Sequence, residues 1–140
     1  MIRIAICCGG GFSSSALARH LEQEVKEKNL GDRATFIFIP GGRLEQRQDE
    51  VDIAMCCPHL EYKMKQNSAK NMYSIPVSII PPRLYGLMPA RDFIEDAEDL
   101  LELWNKGAKN IVTFDDEPRP LAVKRMVSHR RKLNGEKPKL

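Results

Sequence analysis

Cys8 is followed by Gly9, Gly10 and Gly11, and then by Phe12, Ser13, Ser14 and Ser15. A thiol ahead of three glycines and three hydroxyls is a spacing that can do chemistry on an anion. Glycines let successive backbone N–H groups turn to one side with no Cβ in the way. A helix opening at the serines adds N–H donors that lack intrahelical partners, and the positive end of its macrodipole. Together these make a cradle for a phosphate-sized anion, in which a thiol gives up its proton more readily than in water. The implied chemistry is covalent, with a sulfur nucleophile that carries a phosphoryl group. The plain alternative is an inert thiol buried at a strand end.

The four cysteines stand as two adjacent pairs, Cys7-Cys8 and Cys56-Cys57, and Pro58-His59 follows the second. Four thiols and His59 would suit zinc, but neighbouring residues on a strand point to opposite sides, which makes vicinal pairs poor chelates. No metal and no organic cofactor is therefore expected. A Cys8–Cys57 disulfide is geometrically plausible if the two loops face each other. His59 is the one histidine expected at the reactive edge, and His20 and His129 are expected on the surface. A C-x5-R phosphatase loop would need an arginine to grip phosphate bidentately, but Ser14 stands at that place after Cys8 and Ser13 after Cys7. The nucleotide-binding G-x-G-x-x-G and lysine-bearing loops are absent.

The elements that must hold these residues alternate. Ile2–Cys7 reads as a buried strand, and Ser13 to about Asn29 as a helix in which Leu17, Leu21 and Val25 recur every fourth residue. Thr35–Ile39 is a second strand, closed by Pro40-Gly41-Gly42, and Arg43 to Glu50 a short helix or turn. Val51–Cys56 is a third strand, and Leu60 to about Lys70 a weak helix. Tyr73–Ile80 is a fourth, with Pro76 suggesting a sheet edge. Asp92–Lys106 is an amphipathic helix with Phe93, Ala97, Leu100, Leu101 and Trp104 on one stripe. Beyond it, a short strand is expected near Asn110–Phe114 and a basic helix over Leu121–Lys132. The fold class is α/β: one domain, an open four-stranded, mainly parallel sheet with helices on both faces. Ligands of such sheets gather at the carboxyl ends of the strands, where Cys8 and Cys57-Pro58-His59 both fall.

With 140 residues and 42% hydrophobic content the chain suits a single globular domain. No apolar run approaches the length of a membrane span and no signal peptide opens it, so a cytoplasmic protein is expected. The net charge of +3 is unevenly spread. Residues 119–140 hold eight Lys/Arg against Glu136, a balance of +7 that leaves −4 for the rest. We divide the chain into 1–106, which holds the reactive loop, and a basic extension over 107–140. The extension is expected to present its basic groups to solvent, and anionic membrane is a possible contact for it. Nucleic acid is not expected as a partner.

These motifs resemble the enzyme IIB component of the lactose/cellobiose class of the bacterial sugar phosphotransferase system. In that family a strand delivers a cysteine, then two small residues, a glycine, a bulky residue and a Ser/Thr-rich helix start, as in Cys8 to Ser15. The proline and tyrosine of Cys57-Pro58-His59-Leu60-Glu61-Tyr62 match a second family segment, in which Cys57 and His59 are departures. Tyr85-Gly86 matches a third, and Tyr62 and Tyr85 are expected to serve packing. The resemblance covers about residues 1–105. It implies that Cys8 takes a phosphoryl group from a phosphohistidine of a IIA protein and yields it to a sugar held by a IIC permease. The protein would then sit at the inner face of the membrane through IIC. A regulatory phosphoacceptor of the same descent, or a redox or metal-binding thiol protein, is the alternative.

Overall fold

The computed structural model describes residues 1–8, 12–85 and 88–136, with side chains described from Ser15 onward in the first helix. Four strands form one sheet: β1 (Ile2–Cys8), β2 (Ala34–Pro40), β3 (Ile53–Cys56) and β4 (Val77–Ile79). Their order is β2-β1-β3-β4 and every pairing is parallel. Parallel neighbours need a crossover, and it is supplied by α1 (Phe12–Glu27), α2 (Leu44–Arg47) and α3 (Glu61–Ala69), while α4 (Ala90–Asn105) follows the last strand.

Strand alternation sorts the core onto two faces. Ile4, Ile6, Ile53 and Met55 meet Leu17, Leu21 and Val25 of α1 and Phe93, Ile94, Ala97 and Leu100 of α4. Ala5, Cys7, Ala54 and Cys56 point the other way, against Leu44, Leu60, Met64 and Tyr73. Helices therefore cover both faces, and β1 and β3 are buried on each.

The fourth strand is shorter than Tyr73–Ile80, and it is the edge strand that Pro76 suggested. Asn110 covers that edge. Its Oδ1 accepts the Val77 N–H at 2.7 Å, its Nδ2 donates to the Ile75 carbonyl at 2.8 Å, and Val112 N donates to Val77 O at 2.9 Å. A side-chain amide thus stands in for the strand expected over Asn110–Phe114, and the exposed hydrogen-bonding row is capped.

The basic segment differs more from its expectation. Instead of one helix over Leu121–Lys132, a 3-10 turn at Pro120–Ala122 leads to extended chain and then to α5 (His129–Leu133). Ser128 caps α5 by accepting the Arg131 N–H. The reason lies in the acidic residues of α4: Asp92, Glu95 and Asp96 are buried polar groups there. Asp92 accepts the Ser128 N–H at 2.8 Å, Asp96 the His129 N–H at 2.8 Å, and Glu95 the Ser128 hydroxyl at 2.6 Å. Arg131 donates to both oxygens of Glu95, and Arg130 to both of Asp99. Four of the tail's basic side chains, Arg125, Arg130, Arg131 and Lys132, are held by carboxylates, with Arg125 withdrawn from solvent and the other three partly exposed. His129 is likewise no surface residue: its side chain is 12% exposed and stacks on Phe114 with ring centroids 3.9 Å apart. His20 does lie at the surface, paired with Glu24.

Candidate functional site

β1 runs into β2 on one side of the sheet, and the chain then crosses to place β3 on the other. The carboxyl ends of β1 and β3 are therefore the switch point of this open sheet, where diverging connections leave room for a ligand. Cys7 pairs in register with Cys56, so Cys8 and Cys57 come next at that edge, and Cys57 N donates to Cys7 O at 2.9 Å. Period-two alternation does the sorting. Cys7 and Cys56 go into the α3 face, while alternation along β1 turns Cys8 to the side of Ile6, and Cys57 meets Tyr85, which packs on that same side.

The inward pair is chemically quiet. Cys7 and Cys56 are wholly buried, and a hydrogen bond with the Cys7 thiol, reinforced by burial, holds the Cys56 thiol well above its ordinary value. A thiol held protonated is a poor nucleophile.

The edge pair has polar company. Pro58 ends β3 and opens the 3-10 turn Pro58–Leu60, which brings His59 back over the end of β1. His59 Nε2 lies 3.4 Å from Cys8 Sγ. The Cys57 thiol donates toward the Tyr85 hydroxyl at 3.6 Å. The sulfurs of Cys8 and Cys57 and a ring nitrogen of His59 all lie within 4.8 Å of one another. Gly41 backs the site, since a Cβ there would stand 3.4 Å from the Cys8 carbonyl and 3.0 Å from the Leu60 side chain.

Of the residues singled out in the sequence, Cys8, Cys57, Pro58 and His59 are brought together. Gly9, Gly10, Gly11 and Gly86 lie outside the described residues, as do the side chains of Phe12, Ser13 and Ser14. The backbone of α1 is helical from Phe12, one residue before the serines, and Ser15 stands in its first turn. Tyr85 packs beside the core as expected, whereas Tyr62 is 75% exposed and its hydroxyl accepts from Gln66 at 3.1 Å. The pairing of Cys8 with His59 was not read from the sequence, which placed them at one edge but not in contact. The Cys-Pro-His order was the signal for it, because a proline after a strand turns the next residue back across the strand ends.

What this arrangement can do follows from its parts. An imidazole beside a thiol can donate a hydrogen bond to the thiolate, and the sulfur stands at the head of the glycine segment. No helix of the described residues is long and apolar enough to cross a membrane.

No curated protein sequence matches the chain. Among solved structures, a cellobiose-specific phosphotransferase IIB component from Borrelia burgdorferi shares 26% identity at a TM-score of 0.54, over 77% of this chain and 95% of its own. The lactose-specific IIB component domain from Streptococcus pneumoniae aligns over 77% of this chain and 98% of its own, at 14% identity and a TM-score of 0.43. The family described as PTS system, lactose/cellobiose specific IIB subunit, matches residues 3–102. That span takes in β1 to β4, most of α4 and the Cys8–Cys57–His59 edge, and the chain belongs to the lactose/cellobiose-specific IIB subunits of the sugar phosphotransferase system.

Proposed function

We propose that the protein is a phosphoryl carrier, in which Cys8 takes the phosphoryl group from a phosphohistidine of a IIA protein and passes it to a sugar bound by a IIC permease. The observation that carries this reading is the placing of Cys8. It ends the central strand at the switch point, faces away from the quiet Cys7–Cys56 pair, and has His59 at 3.4 Å. In the transfer the Cys8 thiolate attacks phosphorus, a P–S bond forms, and the P–N bond to the donor imidazole breaks. Backbone donors from Gly9 to Ser14, with the hydroxyls of Ser13 to Ser15, would hold the three phosphoryl oxygens. A hydrogen bond from His59 would favour the thiolate before attack. Residues 1–106 carry this chemistry, and the described part of the extension, 107–136, braces α4. Such a carrier works at the cytoplasmic face of the membrane, where IIC holds the sugar.

The test is to incubate the protein with phosphorylated IIA and map the labile phosphate by mass spectrometry. Phosphate on Cys8, lost in Cys8→Ser and kept in Cys7→Ser, supports the reading. Phosphate on a histidine, or retained in Cys8→Ser, overturns it.

A further inference from the structure

Each vicinal pair contributes one sulfur to the same edge, which removes the geometric objection to metal binding at this site. Adjacent strand residues cannot chelate together, but Cys8 and Cys57 are neighbours across the β1–β3 ladder rather than along a strand. With His59 they make a set of two sulfurs and one imidazole nitrogen within 4.8 Å of one another.

We propose that Cys8, Cys57 and His59 form a binding site for Zn2+, and that metal occupancy and phosphorylation of Cys8 exclude each other. Zn–S bonds of about 2.3 Å and Zn–N bonds of about 2.0–2.1 Å at tetrahedral angles put sulfur and nitrogen roughly 3.5 Å apart and two sulfurs roughly 3.8 Å apart. The Cys8–His59 separation of 3.4 Å already matches the first edge. The outer limit of 4.8 Å leaves at most about 1.3 Å of closure for the others.

Burial and charge fit the same ion. Cys8 and Cys57 are buried and His59 is exposed, so the sulfurs offer a dry, soft site with an imidazole at its mouth. Two thiolates balance the charge of Zn2+, and three protein ligands leave a fourth position for water. The Tyr85 hydroxyl beside Cys57 can donate to that sulfur once its proton is gone, which orients it as outer-shell partners do. Binding releases the two thiol protons to solvent and uses the Nε2 lone pair of neutral His59. No bond within the protein breaks. Zinc would draw charge from the sulfur that must attack phosphorus and stand in the donor's path, and an S-phosphorylated Cys8 has no thiolate to give. The exclusion rests on the proposed role of Cys8 as acceptor, whereas metal binding itself does not.

The experiment uses the full chain, reduced and anaerobic, titrated with Co2+ and then with Zn2+. The expected result is a thiolate-to-cobalt charge-transfer absorption that saturates at one equivalent and is displaced by Zn2+. Cys57→Ser and His59→Gln should each weaken Zn2+ binding at least tenfold against a chromophoric chelator, with Cys56→Ser unchanged and circular dichroism reporting that all three are folded. Absence of the charge-transfer band, or equal affinity in Cys57→Ser, overturns the site. Equal affinity would place the ion elsewhere, as at Asp116, Glu117 and His129. In a second arm, stoichiometric Zn2+ should block phosphorylation by IIA and a chelator should restore it. Phosphate reaching Cys8 in the zinc-loaded protein overturns the exclusion. Phosphate found elsewhere in metal-free protein overturns the acceptor role and leaves the metal site standing.

Discussion

The guanidinium of Arg125 and the carboxylate of Asp96 lie 2.8 Å apart, and each side chain is only 3% exposed. Arg125 also donates to both oxygens of Glu117 and to the Val127 carbonyl, and sits over the Phe114 ring at 5.6 Å. One buried cation thus ties the C-terminal segment to α4. The loss of a single partner from such a group is costly, because the others stay buried without it.

Replacing Arg125 by alanine should destabilise the protein by about 3–5 kcal/mol at neutral pH, the usual cost of breaking a buried charge pair from one side. Arg3→Ala, which loses an exposed pair with Asp52, should leave the urea midpoint nearly unchanged. Denaturation curves of the two variants give the comparison. An equal, small loss in both would show that the buried pair is not a clamp.

Truncation after Lys106 should do more than remove charge. It would remove Val112, Phe114, Val123 and Val127 from the core and strip Asp92, Glu95 and Asp96 of the partners that the tail supplies. The truncated chain should lose cooperative thermal unfolding or melt well below the full one. A truncated domain as stable as the parent would show that α4 does not depend on the tail.

Acid should act on this clamp in two opposite ways. Burial pushes Asp96 up to about 6 against the pull of Arg125. A carboxyl raised in the folded state adds stability that is full below its unfolded value near 3.8 and lost as pH rises through about 6. The hydrogen bond from Lys132, together with His129, draws Asp116 down to about 2, and Arg131 and Arg125 lower Glu95 and Glu117 despite their burial. Those carboxylates add stability above their unfolded values that is lost as pH falls through the folded ones. Stability of the parent should therefore rise from pH 7 to pH 5 and fall below about 4. In Asp96→Asn the rise between 7 and 5 should shrink while the acid fall remains. Parallel profiles for the two proteins would refute the assignment to Asp96.

Asn110→Ala removes both hydrogen bonds that close the edge of β4. Leaving a strand N–H and a carbonyl without partners should cost about 1–3 kcal/mol. Hydrogen exchange at the Val77 amide should speed up before that of β1 amides, and the bared edge should raise self-association. Unchanged exchange at Val77 would mean that the Asn110 side chain does not protect its amide.

Thiol reactivity should divide by face. Cys7 and Cys56 are fully buried and should stay silent to a disulfide reagent until the chain unfolds. The first thiol of the native protein to react should be Cys8, which is 4% exposed and lies beside the exposed His59. Early labelling of Cys56 would contradict the sorting of the two pairs.

Some of this protein is set by local order along the chain. Cys8 before the glycines, the Leu17, Leu21, Val25 spacing and the Phe93 to Trp104 stripe each state an element and its buried face through backbone geometry that repeats every two or 3.6 residues. The parallel sheet follows from strands that alternate with helices, and Pro76 marks its edge. Other features depend on which elements become neighbours. Asp92, Glu95, Asp96 and Asp99 recur at helical spacing opposite the apolar stripe, and the excess of basic residues in the tail is their complement. Neither segment states that they meet, so Leu121–Lys132 reads as a helix although charge pairing draws residues 123–128 out of helical form. The Asn110 amide reads as loop because its bonds belong to a strand 33 residues away. Strand alternation settles that Cys7 and Cys8 part company, but the β1–β3 register decides that Cys8 meets Cys57 and His59. Periodicity travels along the chain, whereas register and charge pairing are fixed only when distant segments pack.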